Sequence, residues 1–291
     1  MTSQVIAEPR TARQPGWVTL TQEPVGSLVR HWRERRRRSQ LDVSLAAAVS
    51  TRHLSCIETG RAVPSRQVIE RLCEELEVPL RARNALYLAA GYAPIHDERP
   101  YVDLGAARAA VEAVLDGHFP NPALAVNVRW EPLAVNAAAE VFLGDLPASL
   151  LHPPGSVLRA TLHPDGLAPR IRNYEQWRGH VVRRVRRQLE RTGAAGLGAL
   201  LAEVESYPCP PGSTQVDQPS GDDLVVPLRI STEHGDLALL YATTVFGSPR
   251  DVTLDEIAIE TFFPADARTA GLLRAMAAPG LPAGTSDPGR A

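Results

Sequence analysis

The chain has 291 residues, of which 22% are charged and 44% are hydrophobic, and its formal net charge is −2. This length predicts about two domains, and the apolar fraction is that of a globular protein rather than a disordered one. A net charge near zero argues against a protein that coats nucleic acid with its whole surface.

The charge is distributed unevenly along the chain. Residues 24–91 contain 12 arginines and 7 acidic residues, a net charge of +5. Residues 92–291 contain 17 arginines and 24 acidic residues, a net charge of −7. A small basic segment followed by a larger acidic one predicts a polyanionic partner for the first segment.

The cysteines and the apolar runs exclude several classes of protein. Cys56, Cys73 and Cys209 contain no pair at metal-ligand spacing, so we expect neither a disulfide framework nor a metal site. No apolar stretch reaches 18 residues, and the N-terminus lacks the apolar region of a signal peptide. We therefore expect a cytoplasmic protein without a membrane partner.

The N-terminal residues and the first helix differ in their pattern. Residues 1–23 have neither a helical nor a strand period, so we expect a flexible N-terminal arm there. Pro24 suits the first turn of a helix. An apolar stripe at positions i, i+3, i+4 and i+7 follows, formed by Val25, Leu28, Val29 and Trp32. The arginine run 35–38 is expected to end this helix.

Four more short helices are expected, over 40–47, 51–59, 65–76 and 81–90. Ser50 and Ser65 stand at N-cap positions, where a short hydroxyl accepts hydrogen bonds from free backbone N–H groups. Gly60 and Gly91 stand where two of these helices end. Five short helices within residues 24–91 predict a compact all-α domain.

The rest of the chain is predicted to form a linker, a second domain and a disordered tail, which we place at 92–103, 104–278 and 279–291. In the second domain, strands are predicted over 122–128, 130–135, 224–231 and 236–246. Helices are predicted over 104–117, 136–143, 174–191, 195–206, 253–261 and 265–277. Asn136 is the expected N-cap of the second of these helices.

Residues 39–65, with the sequence SQLDVSLAAAVSTRHLSCIETGRAVPS, resemble the Xre/Cro-type helix-turn-helix of bacterial and phage repressors. The matching positions are Gln40 at the start of the second helix, the apolar Val43, Val49, Leu54 and Ile57, and the acid and glycine Glu58 and Gly60. The resemblance implies a five-helix, lambda-repressor-like DNA-binding domain. It also implies a homodimer on two operator half-sites, because one such domain reads only a few base pairs.

The recognition helix of such a domain points its N-terminal residues at the major groove of DNA. An arginine at this place, Arg52, can bind guanine through two hydrogen bonds worth about 1–3 kcal/mol of discrimination. Further arginines add affinity that falls as salt rises, although an arginine run at a helix end is in most proteins only a solvated surface. The candidate DNA contacts are Arg36, Arg38, Gln40, Ser50, Thr51, Arg52, His53, Ser55, Cys56 and Arg61.

Some positions within the motif have structural interpretations. The resemblance implies that Glu58 pairs with Arg33 of the first helix and that this ion pair is structural. His53 can equally be a surface residue, and Cys56 can be a small spacer. Ala48 occupies a turn position that the family fills with glycine, where a left-handed conformation costs roughly 1–2 kcal/mol.

Residues 122–143 are predicted to form strand, turn, strand and helix, which is similar to the opening of a PAS-like sensor fold. With the blocks at 162–177 and 243–266, and with the helix-turn-helix, they resemble the MmyB-like transcription regulators. That family joins an Xre-type domain to a PAS-like ligand-binding domain associated with fatty acids or other small apolar metabolites. The resemblance implies an α+β domain with an antiparallel sheet.

The ligand candidates lie in the block 162–177 and are His163, Arg170, Arg172, Asn173 and Trp177. The four polar residues among them can bind the acid headgroup of a ligand. Their structural alternatives are a turn at His163, an N-cap at Asn173 and a core position for Trp177. The arginines at 183, 184, 186, 187 and 191 are expected on a solvated helix face, with DNA or RNA polymerase as alternative partners.

Catalysis finds little support in the sequence. The eight histidines are scattered, and neither His-Glu-x-x-His nor Gly-x-Ser-x-Gly occurs. We expect a ligand-controlled transcription regulator that is not an enzyme and has no cofactor besides a possible fatty acid or similar apolar ligand. The alternatives are a haem or redox sensor using His163, a hydrolase fused to a DNA-binding domain, and a ligand-free protein-interaction domain.

Overall fold

A computed structural model of the protein describes residues 4–5, 23–151, 155–211 and 225–277. The predicted arm, apart from Gln4, Val5 and Glu23, and the whole predicted tail 279–291 lie outside the described residues. The same holds for residue 224, where the third predicted strand begins.

The N-terminal domain consists of five helices, as the sequence predicts. They are α1 (Val25–Arg35), α2 (Gln40–Ala46), α3 (Thr51–Glu58), α4 (Arg66–Glu75) and α5 (Leu80–Ala89). The hydroxyls of Ser50 and Ser65 accept from the backbone N–H groups of His53 and Val68, which caps α3 and α4. The first helix ends at Arg35 rather than at 38, because Arg37 has the left-handed φ of 54°.

Two close contacts bring the helix-turn-helix together. A Cβ on Gly26 of α1 would lie 2.0 Å from the carbonyl oxygen of Ile57, so only glycine allows α1 and α3 to approach this closely. Ala48 is left-handed, with a φ of 50°. The Arg71 guanidinium donates to the Ala48 carbonyl at 3.0 Å, which holds the strained turn in place.

The C-terminal domain is α+β. Its helices are α6 (Ala106–Gly117), α7 (Ala137–Leu143), α8 (Ala148–Leu151), α9 (Val157–Leu162), α10 (Tyr174–Thr192), α11 (Leu197–Ser206), α12 (Val252–Asp255) and α13 (Ala267–Ala277). Its strands are β2 (Ala123–Val126), β3 (Pro132–Val135), β4 (Leu228–Thr232), β5 (Gly235–Val245) and β6 (Ala258–Pro264). A helical domain followed by an α+β domain confirms the predicted fold class.

The strands form one antiparallel sheet in the order β1-β3-β2-β6-β5-β4, in which β1 is the two-residue strand Gln4–Val5. The prediction of a flexible arm is wrong for these two residues. Their backbone pairs with Val135 and Ala134 and so covers part of the open edge of β3.

The sheet separates two hydrophobic cores. Side chains alternate between the faces of a strand, and in β2 this places Leu124 and Val126 in the larger core, beneath α7, α9, α10, α11 and α13. Ala123 and Ala125 lie in the smaller core, against Val111 and Leu115 of α6. The apolar cavity described below is on the side of the larger core.

The helix predicted over 253–261 is wrong. Only Val252–Asp255 is helical, and Ala258–Pro264 is strand β6, which pairs with both β2 and β5. Ile259, Thr261 and Phe262 are β-branched or aromatic residues that suit a strand with two neighbours. The sequence segment between residues 144 and 173, for which no helices were expected, contains the short helices α8 and α9.

The linker predicted at 92–103 is ordered against both domains. The Asn84 side chain accepts from the N–H groups of Ile95 and His96 and donates to the His96 carbonyl. Tyr101 is buried in the smaller core of the C-terminal domain. The two domains are therefore joined by a packed segment rather than a loose one.

Candidate functional site: the recognition helix and the ligand cavity

The recognition helix α3 buries Leu54 and Ile57 in the helical domain. Thr51 and Arg52 are exposed at its N-terminus, and His53, Ser55 and Cys56 are half-buried. Among the described residues, Arg52 has no carboxylate partner. The Thr51 hydroxyl is hydrogen-bonded to Ser44 at 2.8 Å, which ties α3 to α2 and satisfies the buried Ser44 hydroxyl.

Glu58 is a buried acceptor at the centre of the helix-turn-helix, with a side chain that is 3% exposed. Its carboxylate accepts hydrogen bonds from Arg33 Nε at 2.7 Å, Arg33 Nη2 at 2.9 Å and Gln40 Nε2 at 2.8 Å. The hydrogen bond with Glu58 raises the pKa of Arg33 above its usual value. The Gln40 amide, a predicted phosphate contact, is thus used to join α1, α2 and α3.

Arg36 and Arg38 were predicted to contact DNA, but both bind protein carbonyls instead. Arg36 Nε donates to Leu76 O at 2.8 Å, and its Nη2 donates to Glu77 O at 2.8 Å and to Arg191 O at 3.1 Å. These oxygens lie at the C-terminal ends of α4 and α10, where carbonyls lack intrahelical partners. The structure gives Arg36 a structural role in place of the phosphate contact that we predicted.

Arg38 differs from its predicted role in the same way. Its guanidinium binds the Glu75 carboxylate and the Glu75 carbonyl oxygen. Arg61 remains on the surface, where its Nε donates to Thr59 Oγ1 at 3.0 Å. The exposed cation beside the recognition helix is therefore Arg61 rather than Arg38.

An apolar cavity of about 70 Å³ lies between the sheet and helices α7, α9 and α10. Its walls include Leu124, Phe142, Leu143, Trp177, Ile230 and Phe262. Pockets that hold drug-sized ligands usually measure about 300–1,000 Å³. A ligand with a long acyl chain therefore requires that these side chains move apart.

Of the five predicted ligand contacts, only Trp177 lines this cavity. Arg170 Nε donates to the Ser231 carbonyl at 3.1 Å, and Arg172 Nη2 donates to the Ser231 hydroxyl at 3.0 Å. Arg172 also lies 3.5 Å from the Asp236 carboxylate. Both arginines connect the segment before α10 to β4 and β5, and neither reaches the cavity.

His163 and Asn173 also have structural roles. Asn173 accepts from Arg229 N at 3.0 Å and donates to Pro227 O at 2.8 Å, so it binds the chain around β4. Asn173 stands at the N-cap position of α10, as the alternative proposed, but its side chain makes no capping hydrogen bond to the helix. His163 Nδ1 accepts from Asp165 N at 3.0 Å and packs on Tyr207. His163, the candidate haem ligand, does not line the apolar cavity.

A buried ion pair that the sequence analysis missed lies next to the cavity. Arg184 of α10 donates to Glu260 of β6 through Nη1 at 2.7 Å and Nη2 at 2.5 Å. The Glu260 side chain is 4% exposed. The Arg184 guanidinium also lies 4.5 Å from the centre of the Trp130 ring. An acid within the apolar run AIETFF was the signal that could have identified Glu260.

His180 is a second residue that the sequence analysis missed. Its Nε2 lies 2.6 Å from the Tyr241 hydroxyl, and its ring stacks on Trp177 with centroids 5.7 Å apart. Burial lowers the pKa of His180, and the nearby Arg183, Arg184 and Arg187 lower it further. The surroundings of His180, which backs the cavity wall at Trp177, therefore favour its neutral form.

The two domains contact each other directly. Arg81 of α5 donates to the Glu256 carboxylate at 2.6 and 3.0 Å and to Glu98 at 2.7 Å. Leu80 N donates to Asp255 Oδ2 at 3.3 Å. Because α5 belongs to the DNA-binding domain and Glu256 follows α12, these bonds fix the orientation of one domain on the other.

Two comparisons with known protein families find matches. Residues 107–276 match the family described as MmyB-like transcription regulator ligand binding domain. Residues 24–86 match the family described as helix-turn-helix domain. No curated protein matches the chain. Within the described residues, none of the helices combines the length and the apolar character needed to cross a membrane.

Proposed function

The chain belongs to the family of MmyB-like transcription regulators, and from that membership we propose that its helix-turn-helix recognises a specific operator under the control of a small apolar ligand. A helix-turn-helix domain joined to this ligand-binding domain makes the protein a ligand-regulated DNA-binding transcription regulator. Its domains are those of a transcription regulator and not of an enzyme family.

The proposed base contact is Arg52, which is supported by its exposed position in the first turn of α3. Thr51, His53, Ser55 and Cys56 form the rest of the proposed groove-facing surface, and Arg61 contributes a phosphate contact. The operator is proposed to hold two half-sites bound by a homodimer. We also propose a cytoplasmic location, because the proposed partner is chromosomal DNA.

Selection of operator sequences from a random DNA pool tests this assignment. An Arg52→Ala variant should lose discrimination at one base pair, with a cost of about 1–3 kcal/mol. Arg37→Ala is a matched control, because Arg37 is exposed but lies outside α3. Selection of the same operator by Arg52→Ala would remove Arg52 from the set of base-reading residues.

The proposed ligand is a small apolar molecule of the fatty acid class. This proposal rests on the cavity wall, whose six residues named above are all apolar and belong to three strands and two helices, β2, β4, β6, α7 and α10. Binding is proposed to push Trp177 outward and to shift the protein between two DNA-binding states through different ligand affinities for each.

Filling the cavity tests the ligand proposal. Ala139 of α7 lines the cavity, and Ala139→Phe should abolish binding of decanoate, measured by the fluorescence of the protein's tryptophans. Val141→Phe changes an exposed position of the same helix and should bind decanoate as the wild type does. Equal decanoate binding by both variants would show that this cavity is not the decanoate site. If no apolar molecule is released from the purified protein in mass spectrometry, a ligand-free interaction domain is favoured.

A further inference from the structure

A second, larger cavity lies beside the ion pair of Arg184 and Glu260. It has a volume of about 410 Å³, within the range of cavities that hold small-molecule ligands. Three arginines of α10 line it at positions i, i+3 and i+7, and these are Arg184, Arg187 and Arg191. We call this cavity the arginine pocket.

The charges of the arginine pocket do not cancel. Glu260 neutralises Arg184 through two hydrogen bonds. In the described part of the chain, Arg187 and Arg191 have no ion-pair partner. Because they are four residues apart on one helix, their side chains are neighbours and can both bind the same anionic group. The pocket therefore holds two uncompensated positive charges.

The other arginines of α10 show that this arrangement is not a uniform solvated face. Arg186 points away from the pocket and pairs with Glu205 of α11 at 2.5 Å. Arg183 is exposed and does not line the pocket. Arg178 and Arg183 also have no acidic partner among the described residues, but only Arg187 and Arg191 combine this with a place in the wall of the arginine pocket.

The position of the pocket connects it with the DNA-binding domain. Gln188 and Arg191 also line a cleft between the two domains, together with Trp32 of α1 and Arg81 of α5. The carbonyl of Arg191 accepts from Arg36 of α1 at 3.1 Å. Arg191 would therefore bind a molecule through its guanidinium while its backbone carbonyl forms a hydrogen bond between the two domains.

We propose that the arginine pocket is a second effector site, which binds an organic anion through a phosphate or carboxylate group. Guanidinium groups bind these groups through paired, charge-assisted hydrogen bonds. A concave pocket of this volume fits a small anion, whereas duplex DNA presents a convex backbone that does not enter it. The arginine pocket is a different cavity from the apolar one described above.

The anion has two possible sources. A third cavity, of about 40 Å³, shares Trp130, Arg184 and Glu260 with the arginine pocket and shares Trp177 with the apolar cavity, so it lies between the two. The anion is therefore either a free metabolite or the head of a molecule whose apolar tail reaches the larger core. Pyrophosphate, which has no tail, and decanoate, which has one, distinguish these sources.

Calorimetric titration of the full chain with pyrophosphate at low salt tests the proposal. The wild type should bind one equivalent, and the variant Arg187→Ala/Arg191→Ala should bind at least about tenfold more weakly, since each charge-assisted hydrogen bond contributes about 1.5–3 kcal/mol. Arg183→Ala, an exposed change on the same helix, should bind as the wild type does. Thermal melting of each variant verifies that it is folded.

Competition then assigns the source. Decanoate that displaces pyrophosphate supports an anionic head in the pocket, and independent binding of both supports a free anion. The proposal is overturned if pyrophosphate does not bind the wild type, or if the double variant and Arg183→Ala bind it equally. It is also overturned if the double variant loses only operator affinity, because the arginines would then serve DNA.

Discussion

Arg81 of the DNA-binding domain forms a two-bond ion pair with Glu256 of the ligand-binding domain, at 2.6 and 3.0 Å. Although burial lowers it, the hydrogen bonds with Glu256 and Glu98 raise the pKa of Arg81 overall. The guanidinium therefore stays charged at any physiological pH. Each protein molecule carries one fixed electrostatic link between the surface that reads DNA and the domain that senses the ligand.

Removal of this link should loosen the interface without unfolding either domain. In Arg81→Ala, we expect faster amide hydrogen exchange in α5 and α12, because Leu80 N loses the support that keeps it near Asp255. Glu98→Gln is the control, since Glu98 is the outer and more exposed partner of Arg81. Unchanged exchange in Arg81→Ala would mean that packing alone holds the domains together.

Loss of the Glu58 carboxylate should destabilise the helix-turn-helix strongly. Glu58→Ala leaves Arg33 as a poorly solvated cation without its partner, and breaking such a buried pair costs about 3–5 kcal/mol of unfolding free energy. Urea unfolding followed by circular dichroism measures this cost. Glu34→Ala removes an exposed carboxylate from the same cluster and should leave the urea midpoint nearly unchanged. Similar midpoints in the two variants would contradict a structural role for the pair.

Glycine at position 48 should stabilise the protein. Ala48 has a φ of 50°, and relief of the left-handed strain is worth about 1 kcal/mol after the entropy cost of glycine. Ala46→Gly, at the end of α2, is the control with the opposite expected effect. It should lower the free energy of unfolding by up to about 1 kcal/mol, because glycine is a poor helix former. The two urea midpoints should move in opposite directions, and a lower midpoint for Ala48→Gly would show that the turn is not strained.

His180 should make the ligand-binding domain sensitive to acid. Burial lowers the pKa of His180 in the folded state below the usual value of 6.5. The unfolded chain therefore takes up this proton first, so the stability contribution is complete above pH 6.5 and is lost as the pH falls below it. Melting temperatures between pH 8 and pH 5 should fall less in His180→Gln than in the wild type. Parallel curves for the two proteins would assign the acid sensitivity to other groups.

The helical domain was predictable because its local patterns agree with one another. The apolar residues of α3, its serine cap at Ser50 and the glycine at 60 all indicate the same short helix, and the structure places it at Thr51–Glu58. Strand β6 was not predictable in this way. Its run AIETFF fits a helix or a strand by length, and only pairing with β2 and β5 selects the strand.

The same difference between local and long-range interactions explains which site residues were predicted correctly. Arg52 was located by its place in a local motif, and it is exposed at the start of α3. Three of these side chains have partners far away in the sequence. The partners of Arg36 lie 40 to 155 residues away. Pro227 lies 54 residues from Asn173, and Glu260 lies 76 residues from Arg184. A carbonyl or a carboxylate brought near by tertiary folding leaves no trace in the neighbouring sequence, so these three side chains were predicted to bind other molecules or to face solvent.

Helix α10 extends without a break from Trp177 in the cavity wall to Arg191 at the contact with Arg36. At 1.5 Å per residue, these two positions are separated by about 21 Å of hydrogen-bonded helix. The helix is thus a stiff rod with one end in the sensor core and the other against the first helix of the DNA-binding domain. A displacement of Trp177 along the helix axis reaches Arg36 without crossing a loop that could absorb it.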